Sequence, residues 1–232
     1  MRRWLGLAVA GALFALAGFA PAPGGQMTLA QVLAALDQAA PGIHSVSAAA
    51  QVDDYTALVQ DTSSSSGQLD FKHAGGAPMY VLDLTKPKAT ARKLVYRDQT
   101  AYVYTPSARQ VMEYPLGAQQ PLVNQFLLLG MGATGQELAK SFRIELVGPE
   151  TVGGVAAVHL RLTPLDAKLA DKLTHLDLWY DPQTWIAIEQ QMWQPGGDYH
   201  RLTLTKVKLN PKLNDKLFST AFPGATVVKP GN

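Results

Sequence analysis

The 232-residue chain contains no cysteine. This excludes disulfide staples, a thiol nucleophile and any thiolate metal site, so an exported protein of this sequence relies on its core and its backbone pairing. It also excludes the acylated cysteine of a bacterial lipoprotein, although Leu16-Ala17-Gly18-Phe19 has the form of a lipobox with Phe in the final place. Charge is scarce too. Asp, Glu, Lys and Arg make up 16% of residues, and Arg2 and Arg3 alone match the whole formal charge of +2. No basic face for nucleic acid can be built from that, and nucleic acid is set aside as a partner. Also missing are a Gly-x-Ser-x-Gly nucleophile elbow, a His-x-x-x-His pair and a phosphate-cradling glycine loop.

Hydrophobic residues are abundant, at 47%, which fits a globular chain and excludes general disorder. Met1-Arg2-Arg3 is a short basic start, Trp4 to Phe19 is apolar, and Ala20-Pro21-Ala22 with Pro23-Gly24-Gly25 supplies small residues and helix breakers. This reads as a signal peptide over residues 1–22, cleaved near Ala20 or Ala22, with a membrane anchor as the competing reading. Arg2-Arg3 leaves general and twin-arginine export both open. No linker, charge block or repeat follows, so residues 23–232 are expected to form one domain.

Thr28 is expected to cap a helix ending near Ala40, with Leu29, Val32, Leu33 and Leu36 as its apolar stripe and Pro41-Gly42 as its stop. From Val46 to Tyr114 the period changes to two. Strands are expected over Val46 to Val59, around Leu69 and Phe71, over Met79 to Leu84, and in a hairpin of Leu94 to Tyr96 and Ala101 to Tyr104; Gln110 to Tyr114 forms another. Ser63 to Ser66 reads as part of a polar loop. Pro121 to Leu129 is apolar almost all round and reads as a short helix ended by Gly130. Thr134-Gly135-Gln136-Glu137 has capping-box form. Phe142, Ile144 and Leu146, then Val158, Leu160 and Leu162, alternate around a Gly153-Gly154 turn, and Thr163-Pro164-Leu165-Asp166 reads as the start of a helix running to about Leu173.

The stretch from Leu176 to Leu209 reads as a three-stranded meander turned at Asp181-Pro182 and at Pro195-Gly196-Gly197-Asp198. Leu176, Leu178 and Tyr180 share a face, as do Ile186 and Ile188, then Leu202 and Leu204. The apolar set then shifts parity to Val207 and Leu209, which predicts a β-bulge near Thr205-Lys206 and a curled sheet.

Candidate chemistry is thin. His159, His175 and His200 lie on predicted strands, where a metal is their one joint use, but His159 and His175 sit opposite the apolar parity, as solvent-facing residues do. Asp53-Asp54, and Asp177 with Asp181, have the composition of acid–base pairs, yet turn and solvated-face roles account for them. No catalytic residue, metal or cofactor is assigned.

The order of elements resembles the periplasmic lipoprotein carrier family LolA, which shares its fold with the outer-membrane receptor LolB. The resemblance rests on Leu178-Trp179-Tyr180-Asp181-Pro182-Gln183-Thr184, on Val207-Lys208-Leu209-Asn210 through Asp215-Lys216-Leu217-Phe218, on Phe222-Pro223-Gly224-Ala225, and on Leu94-Val95-Tyr96-Arg97-Asp98 with Tyr102-Val103-Tyr104. The family has an Asp-Gly turn where this chain has Asp98-Gln99. The resemblance implies an α+β fold: an incomplete antiparallel β-barrel whose concave apolar face is covered by short helices. It implies a soluble periplasmic carrier that takes acylated lipoproteins or other lipids into an apolar cavity and moves them toward the outer membrane. Its implied partners are an inner-membrane release complex and an outer-membrane receptor.

On that resemblance the cavity is expected to be lined by Ile144, Leu160, Leu176, Leu178, Ile186, Ile188, Leu202 and Leu204, under a lid carrying Leu122, Val123, Phe126 and Leu129. The family often has Lys-Arg-Pro after an early strand, its Arg holding the lid. Here Lys72-His73-Ala74 stands there, and His73 does that job in part, in a pH-dependent way. Phe19 in place of the lipobox cysteine favours the carrier over the anchored receptor. One alternative is a periplasmic regulatory protein of the same fold that senses lipids or lipoproteins; the additional C-terminal domain expected of it is not found before Asn232. The other is an exported hydrolase, for which no nucleophile motif exists.

Overall fold

The computed structural model describes residues 27–74, 77–116 and 129–229. The expected signal peptide, and Leu122, Val123 and Phe126 of the expected lid, lie outside the described residues. Helix α1 (Leu29–Ala39) begins where expected. Thr28 Oγ1 accepts from Gln31 N–H, and the Gln31 side chain accepts from Thr28 N–H, a complete capping box. A single 3-10 turn at Ala40–Gly42 ends it. Helix α2 (Gly135–Ser141) has the capping box expected at Thr134 and Glu137. The two helices touch so closely that a Cβ on Gly135 would stand 2.8 Å from Leu33 Cβ, which is why α2 opens on glycine.

Among the described residues, twelve strands make one sheet. They are β1 (Ser45–Thr56), β2 (Asp61–Ala74), β3 (Ala77–Lys86), β4 (Arg92–Arg97), β5 (Thr100–Thr105), β6 (Gln110–Pro115), β7 (Phe142–Val152), β8 (Val155–Pro164), β9 (His175–Tyr180), β10 (Ala187–Trp193), β11 (Tyr199–Leu209) and β12 (Thr226–Val228). Their order is β12-β6-β5-β4-β3-β2-β1-β11-β10-β9-β8-β7, so the edges β12 and β7 never join and the barrel stays open. Among these strands β12 against β6 is parallel and the other neighbours are antiparallel. This is the incomplete barrel expected.

Four bulges help to curl the sheet. The one foreseen at Thr205-Lys206 is present: Ser47 pairs Lys208 but Ala49 pairs Thr205, and Lys206 takes a φ of 55°. Others interrupt Ser66/Gly67, Ala187/Glu189 and Leu146/Gly148. At Gly67 the backbones approach so nearly that a Cβ would sit 1.8 Å from the Asp83 carbonyl oxygen.

Two local expectations fail. Ser63 to Ser66 is strand, not loop: Ser63 pairs Asp54 and Ser66 pairs Gln51, because the long β1 ladder needs a partner whatever its side chains are. The turn is Ala57 to Gln60 instead. Thr163 and Pro164 belong to β8, and the short helix α3 (Ala167–Ala170) is capped by Asp166, whose Oδ1 accepts from Leu169 N–H. Pro164 is tolerated because pairing with β9 stops at Leu162, so its missing N–H breaks no bond on that side.

The core lies mostly on the concave face. Val32, Leu36 and Leu138 of the helices meet Leu160, Leu162, Leu176, Leu178 and Tyr180 of the sheet. Beside them Ile43, Val46, Ala48, Leu69, Phe71, Tyr96, Met131, Ile186 and Leu204 form a second cluster. On the convex face Phe218, with Leu213 and Phe222, covers Met79, Val81 and Val95.

Candidate functional site: an apolar cavity with one charged end

Among the described residues, the helices cover only part of the concave face, and beside them lies a cavity of about 530 Å³. This falls within the roughly 300–1,000 Å³ of small-molecule sites. Its apolar wall comes from Val52 of β1, Tyr80 and Leu82 of β3, Leu94 of β4, Leu176 of β9, Met192 of β10 and Leu202 of β11, with Leu129 and Met131 from the segment before α2. Strand register explains the set: Val52 is directly opposite Leu202, Leu82 opposite Leu94, and Leu176 opposite Met192.

The segment from Leu129 is pinned down. Tyr180 Oη donates to the Leu129 carbonyl at 2.6 Å, and Ala187 N–H donates to the Gly130 carbonyl at 2.9 Å. A Cβ on Gly130 would fall 2.1 Å from Gln190 Nε2. A side chain at Gly130 would have to displace the Gln190 amide; its φ is not left-handed, and Gly132, with φ of 105°, takes the left-handed turn. Burial raises the Tyr180 hydroxyl above the ordinary tyrosine range, as it does the Tyr80 hydroxyl at the cavity wall.

One end of the cavity is charged. Asp54, near the end of β1, accepts from Arg92 Nη2 at 3.2 Å through Oδ2, and its Oδ1 is in hydrogen-bond contact with His200 Nδ1. Asp54 and His200 are directly opposite on β1 and β11, and Arg92 shares the parity of Leu94 on β4. Arg92 and Asp54 are three strands apart and four residues out of row, on the order of 20 Å on a flat sheet. Curling brings their tips together across the concave side. Ser63 is on the other side of Asp54 from His200, so serine, carboxylate and imidazole are not in the order of a nucleophile–base–orienter chain.

The eight expected lining residues divide. Leu176 and Leu202 line the cavity, as does Leu129 of the expected lid. Leu160 and Leu178 share the concave face but are fully buried under α1 and α2, with Ile144 half-buried at their margin. Ile186 and Leu204 are buried in the second core cluster. Ile188 faces the other way. It is the extra residue of the Ala187/Glu189 bulge, and it packs on the convex side against Trp179 and Ala157. His73 is near the β2–β3 turn, at the opposite end of the sheet from Asp54; its ring meets Phe71 edge-on at 5.0 Å. Burial, and then the neighbouring His44, lower its pKa. Arg92, Asp54, His200 and Arg201, with Val52, Tyr80, Leu82, Leu94, Met131, Gln190 and Met192, went unforeseen as lining. The signal available was the parity Arg92, Leu94, Tyr96, with an arginine on an otherwise apolar face.

On the convex face a second polar group is built around Asp177. Arg161 Nε and Nη2 donate to it at 2.9 and 3.3 Å, His159 Nε2 at 3.0 Å, and Trp193 Nε1 at 3.1 Å. Burial alone would raise the Asp177 carboxyl; the hydrogen bonds from His159 and Arg161, with the Arg161 charge, outweigh it and hold the pKa at about 2. Parity placed His159 on the correct face but not its burial: His159 is 5% exposed and Asp177 3%, because the Trp179 ring stacks on His159 at 4.3 Å. Asp181 is a turn residue, accepting from Gln183 N–H and the Thr184 hydroxyl. Among the described residues no group of three or more His, Asp or Glu is placed to hold a metal ion, and no helix is long and apolar enough to cross a membrane.

No protein-family model matches the chain, and no curated protein matches it. Solved structures do. The chain is similar to MucB at 17% identity and a TM-score of 0.53, aligning over 86% of its own length and 64% of MucB. It is therefore compared with less than two thirds of that protein. It is similar to the lipoprotein LppX of Mycobacterium tuberculosis at 13% identity and a TM-score of 0.50, over 81% of this chain and 99% of LppX. A LolA superfamily protein from Nitrosomonas europaea aligns at 14% identity and a TM-score of 0.40, over 84% and 98%. At these identities the likeness is one of fold, which MucB and LppX carry here: a curved, unclosed, mostly antiparallel sheet with short helices on its concave face.

Proposed function

We propose that the chain is a periplasmic carrier that holds the acyl chains of lipoproteins or other lipids in the concave cavity and conveys them toward the outer membrane. The observation that carries this reading is the apolar space of about 530 Å³ left open between the sheet and its helical cover. Burying hydrocarbon there is worth about 0.8 kcal/mol per CH₂, so a greasy wall supplies affinity without specific polar contacts. Residues 1–22 act as the export signal and residues 23–232 as the carrier domain, and the site binds rather than transforms its ligand. Release at the inner membrane and delivery at the outer membrane require partners there.

The test is to purify the exported protein from the periplasm under native conditions and identify what leaves with it by mass spectrometry. The expected result is an acyl-chain lipid and an N-terminus between Pro21 and Gln26. A protein that is ligand-free and fails to bind a fluorescent fatty-acyl probe overturns the reading. Binding without transfer to outer-membrane vesicles assigns the cavity to lipid sensing instead of transport.

A further inference from the structure

The charged end of the cavity is a neutral pair, not a basic patch. Arg92 contributes one positive charge and Asp54 one negative, joined by a single guanidinium contact at 3.2 Å. The Arg92 side chain is 42% exposed and opens to solvent. The second carboxylate oxygen of Asp54 is engaged by His200, which fixes the carboxylate on the β1–β11 side. The pair caps an otherwise apolar space: Gln190 carries no charge, His200 is held on Asp54, and the guanidinium of Arg201 is turned away to Gln191 Oε1 and Glu189. A lone anion at Arg92 would meet repulsion from Asp54, and a lone cation at Asp54 repulsion from Arg92. A headgroup with both charges exchanges one internal ion pair for two external ones and leaves no charge unpartnered.

We propose that this end of the cavity is a headgroup site for a zwitterionic phospholipid, with Arg92 taking the phosphate and Asp54 the primary ammonium of a phosphoethanolamine group. This rests on the reading of the cavity as an acyl site and narrows its ligand. A guanidinium suits phosphate through several N–H donors in one plane. A primary ammonium donates hydrogen bonds to Asp54, whereas the quaternary ammonium of choline has no N–H to give. The chain of the lipid lies along Leu82, Leu94, Leu176 and Leu202.

The experiment uses delipidated mature protein and single-chain probes with one common acyl length: lysophosphatidylethanolamine, lysophosphatidylcholine, lysophosphatidylglycerol and the plain fatty alcohol, with free phosphoethanolamine as the chainless control. The ethanolamine lipid should bind about tenfold more tightly than the alcohol, ahead of the choline and glycerol lipids, and free phosphoethanolamine far more weakly than any of them. Arg92→Gln should erase the preference while alcohol binding persists, and Arg92→Lys, which keeps the charge, should retain part of it. Asp54→Asn should invert the ranking, placing the glycerol lipid above the ethanolamine lipid. Equal binding of all four chain-bearing probes, or a ranking that Asp54→Asn leaves unchanged, overturns the headgroup site but leaves the acyl cavity standing. No binding of any chain-bearing probe overturns the cavity reading and the headgroup with it.

Discussion

At Asp177 a carboxylate is buried on the outside of a sheet and remains charged, because three side chains direct N–H groups at it. Its pKa is about 2 in the fold, against 3.8 for the free side chain. A depressed carboxyl pKa contributes stability that is fully present above the unfolded value and is lost as pH falls through the folded one. Here the window runs from about pH 4 down to about pH 2, and the contribution is on the order of 2 kcal/mol. Asp177→Asn should therefore be less stable at pH 7 but show a flatter decline over that window, which denaturant midpoints measured from pH 7 to pH 2 will record. A residue of the opposite kind is Gln99. It stands with Asp98 at the tip of the β4–β5 hairpin, at φ of 62° and 50°, the left-handed pair of a two-residue turn that favours glycine second. Gln99→Gly removes the crowding of a Cβ there. Allowing for the freer unfolded chain, it should stabilise the protein by about 0.5–1 kcal/mol, read as a rise in melting temperature.

Among the elements, β10 shows how one residue changes a face. Its bulge lets Ala187 and Glu189 face successive residues of β9, so Ile188 leaves the concave side while Gln190 and Met192 stay on it, opposite Leu178 and Leu176. Truncation distinguishes core from cavity wall along these strands. Leu178 is fully buried beneath α1 and α2, so Leu178→Ala should cost about 3–5 kcal/mol, in the upper part of the range for buried leucine. Leu202 borders open space, so Leu202→Ala should cost about 2 kcal/mol or less and instead weaken binding of an acyl probe. Chemical denaturation and probe titration on the same two variants give both readouts. Equal costs, with binding unchanged, would place Leu202 in the packed core.

For the whole molecule, the open edges β12 and β7 let the sheet curl without closing, and the helices gather at the β7–β10 half. Among the described residues, the other half of the concave face carries the short segment Leu129 to Ala133 and the cavity. The apolar wall, the pinned segment and the Arg92–Asp54–His200 end lie together on that half of the face.

Periodicity, capping and turn chemistry sufficed for much of this. Thr28 and Thr134 cap their helices through groups three residues away, Gly153-Gly154 makes its hairpin, and the parity change at Lys206 marks a bulge, because each depends on neighbours in the chain. The open-barrel class was legible in the strand pattern together with the likeness to LolA. What the tertiary structure alone decided was anything set by register and curl. Ser63 to Ser66 became strand because β1 lay beside it, Ile188 changed face through a bulge with no composition signal, and His159 was buried by a ring from another strand. Arg92, Asp54 and His200 lie 38 and 146 residues apart in sequence, and only the curl of the sheet brings them to one end of an apolar cavity.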